Sequence, residues 1–206
     1  MSQSFHYVNF NPWVGEHYAT GLWGRKLLII GESHYTQWDG ETHNLSHEIT
    51  RECVLEILNG EGGAPYWSRV LNRVGGDEYR SRRSDFWNQV AFYNFIQSQL
   101  NGGAGTRPTL TQIKEAGSAF EEVVKYLKPE RIIVTGRTVG RYFKKIPGYQ
   151  QLTSLRTESE PLPVGYFNFT QKKNFITITG HPRSAYFPRS LSPVLKEFIE
   201  RDFDSE

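Results

Sequence analysis

Apolar positions along the chain form two patterns, each predicting a different kind of element. Continuous runs that end abruptly at a turn are Lys26 to Ile30 before Gly31, Val90 to Asn94, Arg131 to Thr135 before Gly136, and Phe175 to Thr179 before Gly180-His181-Pro182. A run without polar alternation predicts a strand covered on both faces, as in a parallel sheet. Gly165 to Phe169 is a further strand candidate, set off by the turn-like Gln171-Lys172-Lys173-Asn174. Helical spacing marks the second pattern. Ile49, Cys53, Val54 and Ile57 share one side of a helix that Ser46 would cap and Asn59-Gly60 would stop near Leu58. Thr111 to Leu127 carries Ile113, Phe120, Val123, Val124 and Leu127 on one face and ends before Pro129. Shorter helices are expected over Tyr66 to Val74, Val139 to Lys145, and Pro193 to Arg201 with Ser192 as its cap. Gly60 to Pro65, Asp77 to Ser84 and Asn101 to Pro108 read as connections.

Strands alternating with helices, without repeat or linker, predict one α/β domain over residues 1–206. The expected form is a three-layer α/β/α domain with a central, mainly parallel four-stranded sheet. Ligands in such sheets gather beyond the carboxyl ends of the strands.

Composition narrows the classes. With 37% hydrophobic and 22% charged residues, the 206-residue chain suits a globular fold and not a disordered one. Aromatics reach 14%, enough to fill a core and leave several for a cleft. A net charge of +2 is too small to argue for nucleic acid by itself, so such a claim must rest on where the basic residues lie. The single cysteine, Cys53, excludes an internal disulfide and any cluster of several thiolates, and reads as a small buried hydrophobe. Met1 to Phe10 lacks a basic region followed by an apolar run, so no secretory signal is expected. No apolar stretch approaches the about 20 residues a bilayer span needs. A cytoplasmic, monomeric protein without a membrane partner is expected.

Three predicted strands end in chemically loaded residues. Gly31-Glu32-Ser33-His34-Tyr35 sets a carboxylate, a hydroxyl, an imidazole and a phenol in succession after a glycine that allows close backbone approach. Asn94 closes the apolar Val90-Ala91-Phe92-Tyr93, where an amide can offer paired donor and acceptor bonds to the edge of a base or simply bond neighbouring backbone. His181, in Gly180-His181-Pro182-Arg183-Ser184, can stabilise negative charge on a departing group.

Taken together, these segments resemble the uracil-DNA glycosylase superfamily. GESHY at 31–35 is similar to the family's first motif, AFYN at 91–94 to its base-reading strand, and HPRS at 181–184 to its His-Pro-Ser turn, with Val134-Thr135-Gly136 as the intermediate strand and turn. The ordered set spans about residues 24 to 200. The resemblance implies that Asn94 binds a flipped base and that His181 faces the base oxygen that gains charge. It also implies that Glu32 positions or activates water and that Tyr35 crowds the 5-position of the base. Ser33 stands where the most active branch has an aspartate, so the carboxylate must be Glu32 or lie elsewhere, with Asp39 and Glu41 nearby. His34 replaces the usual proline. The four cysteines that hold an iron–sulfur cluster in one branch are absent, and no cofactor or metal is expected. Implied substrates are uracil or a modified pyrimidine, in repair or in defence against phage with modified cytosines.

DNA is the implied partner. Trp38 is the expected stacking surface, while Arg183, Ser184, Tyr186, Phe187 and Arg189 are expected to wedge the stack or meet its backbone. Arg80, Arg82 and Arg83 are further candidates for phosphates. Two other classes compete. A serine esterase of the Gly-Asp-Ser type would use Ser33 as nucleophile and His181 as base, although Ile178 stands where that family places an aspartate. A catalytically silent nucleic-acid-binding domain would keep the fold without base release.

Overall fold

The computed structural model describes residues 5–38, 40–61, 65–103, 105–158 and 160–205, with the side chain of Trp38 outside that description. In chain order the elements are β1 (Trp13–Val14), β2 (Leu27–Gly31), β3 (Gln37–Trp38), β4 (Glu41–Thr42), α1 (Ile49–Leu58) and α2 (Pro65–Val70). A π-helical turn (Leu71–Gly75) follows, then α3 (Gly76–Tyr79), α4 (Arg83–Gln89), β5 (Val90–Asn94), α5 (Leu110–Leu127) and β6 (Arg131–Thr135). The chain continues through α6 (Arg137–Phe143), β7 (Gln150–Leu155), β8 (Leu162–Phe167), β9 (Asn174–Thr179) and α7 (Leu191–Glu200).

The apolar runs become β2, β5, β6 and β9. Every residue of the first three is buried. β2 pairs in parallel with β5 and with β6, and β6 pairs in parallel with β9. The expected four strands understate the sheet, which has seven strands in the order β1-β5-β2-β6-β9-β8-β7 and is mixed. β1, β8 and β7 join antiparallel. β7 is the polar sequence QQLTSL on an edge with only Leu155 buried, so it has no apolar run to betray it. β8 starts at Leu162, ahead of the expected Gly165. β3 and β4 form a separate two-stranded hairpin.

Strand side chains alternate between two apolar clusters, one on each face. Leu27, Ile29, Phe92, Ile133 and Phe175 meet Val54 and Ile57 of α1, Phe86 and Trp87 of α4, and Leu195 and Phe198 of α7. Leu28, Ile30, Tyr93, Val134 and Ile176 meet Phe120, Val123 and Val124 of α5 and Val139 and Phe143 of α6. Helices therefore cover both faces and leave the strand ends free to carry polar groups.

Helix ends differ from expectation where caps differ. α5 starts at Leu110 because Thr109 and Gln112 form a capping box. Ser46 accepts from the Glu48 amide but does not cap α1, and α7 begins after Ser190, two residues before the expected cap Ser192. α4 starts within the expected connection at Asp77 to Ser84. Its seven residues bury only Phe86 and Trp87, too few to show a period. Cys53 is only partly buried, and burial together with Glu56 and Glu52 pushes its thiol up to about 11. Among the described residues, no helix is long and apolar enough to cross a membrane.

Candidate active site

β2 and β5 lie side by side with Gly31 opposite Asn94, so the turns that follow them leave the sheet together. Backbone bonds then zip those turns. The Phe95 amide donates to the Gly31 carbonyl, Ile96 to Glu32, Leu100 to His34, and Thr36 back to Leu100, at 3.0–3.1 Å. Glu32, Ser33 and His34 are thus held on a braced segment.

The glycine at 31 has a steric cause. A Cβ there would overlap Asn94 Oδ1 and stand 2.9 Å from the Phe92 ring and 3.1 Å from the Tyr66 hydroxyl. Asn94 is buried, and its Nδ2 donates to His34 Nε2 at 3.0 Å. Thr50 Oγ1 of α1 lies 2.8 Å from the same ring nitrogen. Burial drives the His34 pKa down to about 4, so the ring is neutral at pH 7. A neutral imidazole that accepts at Nε2 carries its proton on Nδ1. Asn94 Oδ1 has no hydrogen-bond partner among the described residues. Gln97 buttresses this arrangement. Its Nε2 donates to the Asn94 carbonyl, and its Oε1 accepts the amides of Asn9 and Phe10. The Phe10 ring stands 5.2 Å from that of His34.

Glu32 is buried to 9% exposure, and its Oε1 lies 3.6 Å from Arg107 of the loop before α5. Burial raises its pKa while Arg107 opposes the rise. His181 follows β9, and its Nδ1 accepts the Arg183 amide at 3.2 Å. Burial, Arg183 and Arg107 lower its pKa, so a neutral His181 holds its proton on Nε2 as a donor. Gly180 is required by the turn's tightness, since a Cβ there would overlap the Tyr186 carbonyl oxygen.

Tyr66 joins the three strand ends, and no local signal in the sequence marks it for this place. Its ring is 5.7 Å from that of His181, and its hydroxyl is 2.8 Å from Thr135 Oγ1. Thr135 gives its one hydroxyl proton to the Ile30 carbonyl, so the Tyr66 phenol is the donor to Thr135. Arg107 influences both Glu32 and His181. Glu32, Asn94 and His181 therefore follow β2, β5 and β9 at the same edge of the sheet, with Tyr66 and Arg107 linking the β2 end to His181.

The remaining expected residues divide. Ser33 Oγ is buried without a hydrogen-bond partner, so the Ser–His pair of an esterase is not formed. Tyr35 packs against the core cluster on the α5 face, which accounts for its ring without a base. Ser184 closes the turn by donating from Oγ to the His181 carbonyl at 2.7 Å. Phe187 is buried in the other core cluster and offers no wedge. Tyr186 is exposed and lies under the guanidinium of Arg137, 4.8 Å from its ring centre. Arg183 and Arg189 are exposed. The Trp38 side chain and Asp39 lie outside the described residues, and Glu41 is exposed on β4. Arg80 and Arg82 are committed to Asp77 and Asp85, and Arg83 donates to the Ile57 carbonyl.

A cavity of about 780 Å³ adjoins the site across the 180–186 turn, lined by Arg137, Arg141, Lys144, Glu158, Glu160 and Tyr186 among others. It shares Thr179 and Gly180 with the β9 end but contains neither Glu32 nor Asn94. Among the described residues, no group of three or more His, Cys, Asp or Glu side chains could hold a metal ion. Compared with known families and curated proteins, the chain matches no family model and no curated sequence.

Proposed function

We propose that this protein is a monofunctional DNA glycosylase that flips out a uracil or modified pyrimidine and hydrolyses its N-glycosidic bond. The observation that carries the reading is the placing of Glu32, Asn94 and His181 after parallel strands at one edge of the sheet, β5 beside β2 and β9 beyond β6, with Tyr66 and Arg107 linking the β2 end to His181. Flipping takes the base out of the stack at a cost of a few kcal/mol, least for a mispaired or unpaired base. Asn94 Oδ1 then accepts from an N–H on the base edge, and the Nε2–H of His181 donates to the base oxygen on which charge develops. The C1′–N bond breaks with its electron pair passing to the base. Water held by Glu32 adds its oxygen to C1′, and its proton passes to the raised-pKa carboxylate before reaching the base. Products are free base and an abasic site.

The carboxylate suits this work because burial raises its proton affinity toward the range a general base needs at neutral pH. The lowered pKa of His181 suits it too, since the neutral ring donates without a buried charge. Base release from a panel of uracil-containing and phage-modified DNAs, read by mass spectrometry, tests the reading. Release of one free base class is expected, with an abasic site left behind. A panel from which nothing is released sinks it, and DNA binding without release selects the silent binding domain instead.

A further inference from the structure

Tyr66, Arg69 and Arg73 recur at helical spacing along α2 and the π-helical turn, and all three reach the turn that carries His181. Tyr66 meets the His181 ring, Arg69 Nη1 donates to the Pro182 carbonyl at 3.0 Å, and Arg73 Nε donates to the Phe187 carbonyl at 3.4 Å. Arg189 stands two residues beyond Phe187 and is exposed. Among the described residues, no carboxylate lies within ion-pair distance of Arg69, Arg73 or Arg189.

That crowding has a cost that a neutral brace would avoid. Burial, then Arg189, Arg69 and Arg80, push the guanidinium of Arg73 below its ordinary value. Arg80 is offset by Asp77 at 3.0 Å, while the other three are offset by nothing on the described protein. A carbonyl occupies one donor of Arg69 and one of Arg73, and a guanidinium has five. The rest remain for an anion, and planar forks of this kind match phosphate oxygens.

We propose that Arg69, Arg73 and Arg189 form a phosphate seat for the DNA strand beside the flipped nucleotide. Because the same arginines hold the Pro182 and Phe187 carbonyls, the seated strand lies along the turn that presents His181. The seat rests on the glycosylase reading only in taking the polyanion to be DNA.

Binding of a fluorescent duplex with no excisable base, followed by anisotropy across a salt series, tests the seat. Each phosphate contact contributes a slope of about 0.9 in log affinity against log salt on duplex DNA. Arg69→Gln, Arg73→Gln and Arg189→Gln should each flatten the slope by about that amount, and the triple variant by roughly 2 to 3. Arg82→Gln, whose partner is Asp85, should leave it unchanged. Arginines that only brace the turn would give a normal slope with lowered thermal stability, which overturns the proposal. If the Arg69 and Arg73 variants fail to fold, Arg189→Gln decides alone, because that exposed side chain supports no core. A duplex RNA bound more tightly than DNA also overturns it. A protein that binds with the expected slopes but frees no base fails only as a glycosylase. One that frees base with slopes untouched by these variants lacks only the seat.

Discussion

At the scale of single residues, the site depends on where protons sit. Asn94 gives its Nδ2 to His34 and leaves Oδ1 beside Gly31, while His181 gives its lone pair to the Arg183 amide and keeps Nε2–H. In the proposed mechanism one group accepts from the base and the other donates to it. A donor aimed at developing negative charge lowers the barrier by roughly 3 kcal/mol. His181→Ala should therefore slow single-turnover base release by about two orders of magnitude while DNA binding changes little. Ser33→Ala should be mild, because Ser33 Oγ bonds no histidine and the proposed mechanism uses water to attack the sugar. Loss of release in Ser33→Ala with normal release in His181→Ala would reverse these roles and restore the serine nucleophile.

At the scale of elements, the candidate site is built on the pairing of β2 with β5, and at Gly31 the Asn94 side chain leaves no room for a Cβ. Gly31→Ala drives a Cβ into Asn94 Oδ1, and Asn94 cannot turn aside without leaving His34. Overpacking of this kind costs about 1–3 kcal/mol. Base release should fall at least tenfold and the thermal midpoint should drop, both measured on the same preparation. Normal release by the Gly31→Ala variant would show that Asn94 need not stay where it is. β2, β5, β6 and β9 were legible because burial on both faces leaves an unbroken apolar run, and the glycines and polar residues after them marked where those strands end. β7 was not legible because an exposed edge needs no such run, and β1 is only two residues long. Tyr66, Arg69, Arg73 and Arg107 escaped for another reason. They reach the β2 end or the 181–187 turn across space from a helix, a π-helical turn and a loop, and their local spacing shows a helix face without showing what it faces. Arg80 and Arg82 pair with acids three residues away on the same turns, which a count of basic residues does not reveal.

At the scale of the whole molecule, the cleft draws on the stability that two core faces provide. Glu32 and His34 lie two residues apart at the end of β2, both buried, with pKa values moved in opposite directions. A carboxyl with a raised folded pKa stabilises below its unfolded value and loses that contribution as pH rises. A histidine with a lowered folded pKa behaves in the opposite sense. Between an unfolded value near 6.5 and the folded value of about 4, the unfolded chain binds a proton at His34 that the folded chain refuses. Stability from this group is therefore complete above about pH 6.5 and falls as pH drops toward 4. At about 1.4 kcal/mol per unit the loss is about 3 kcal/mol, or roughly 6–12 °C in the midpoint of a domain this size. His34→Gln keeps an oxygen to accept from Asn94 but cannot take up the proton. Melting curves at pH 7 and pH 4 should therefore show the wild type losing several degrees more than the variant. Equal losses in the two proteins would mean that His34 is protonated or exposed in the folded state. Asn94 Nδ2 would then lack the neutral His34 Nε2 that accepts from it.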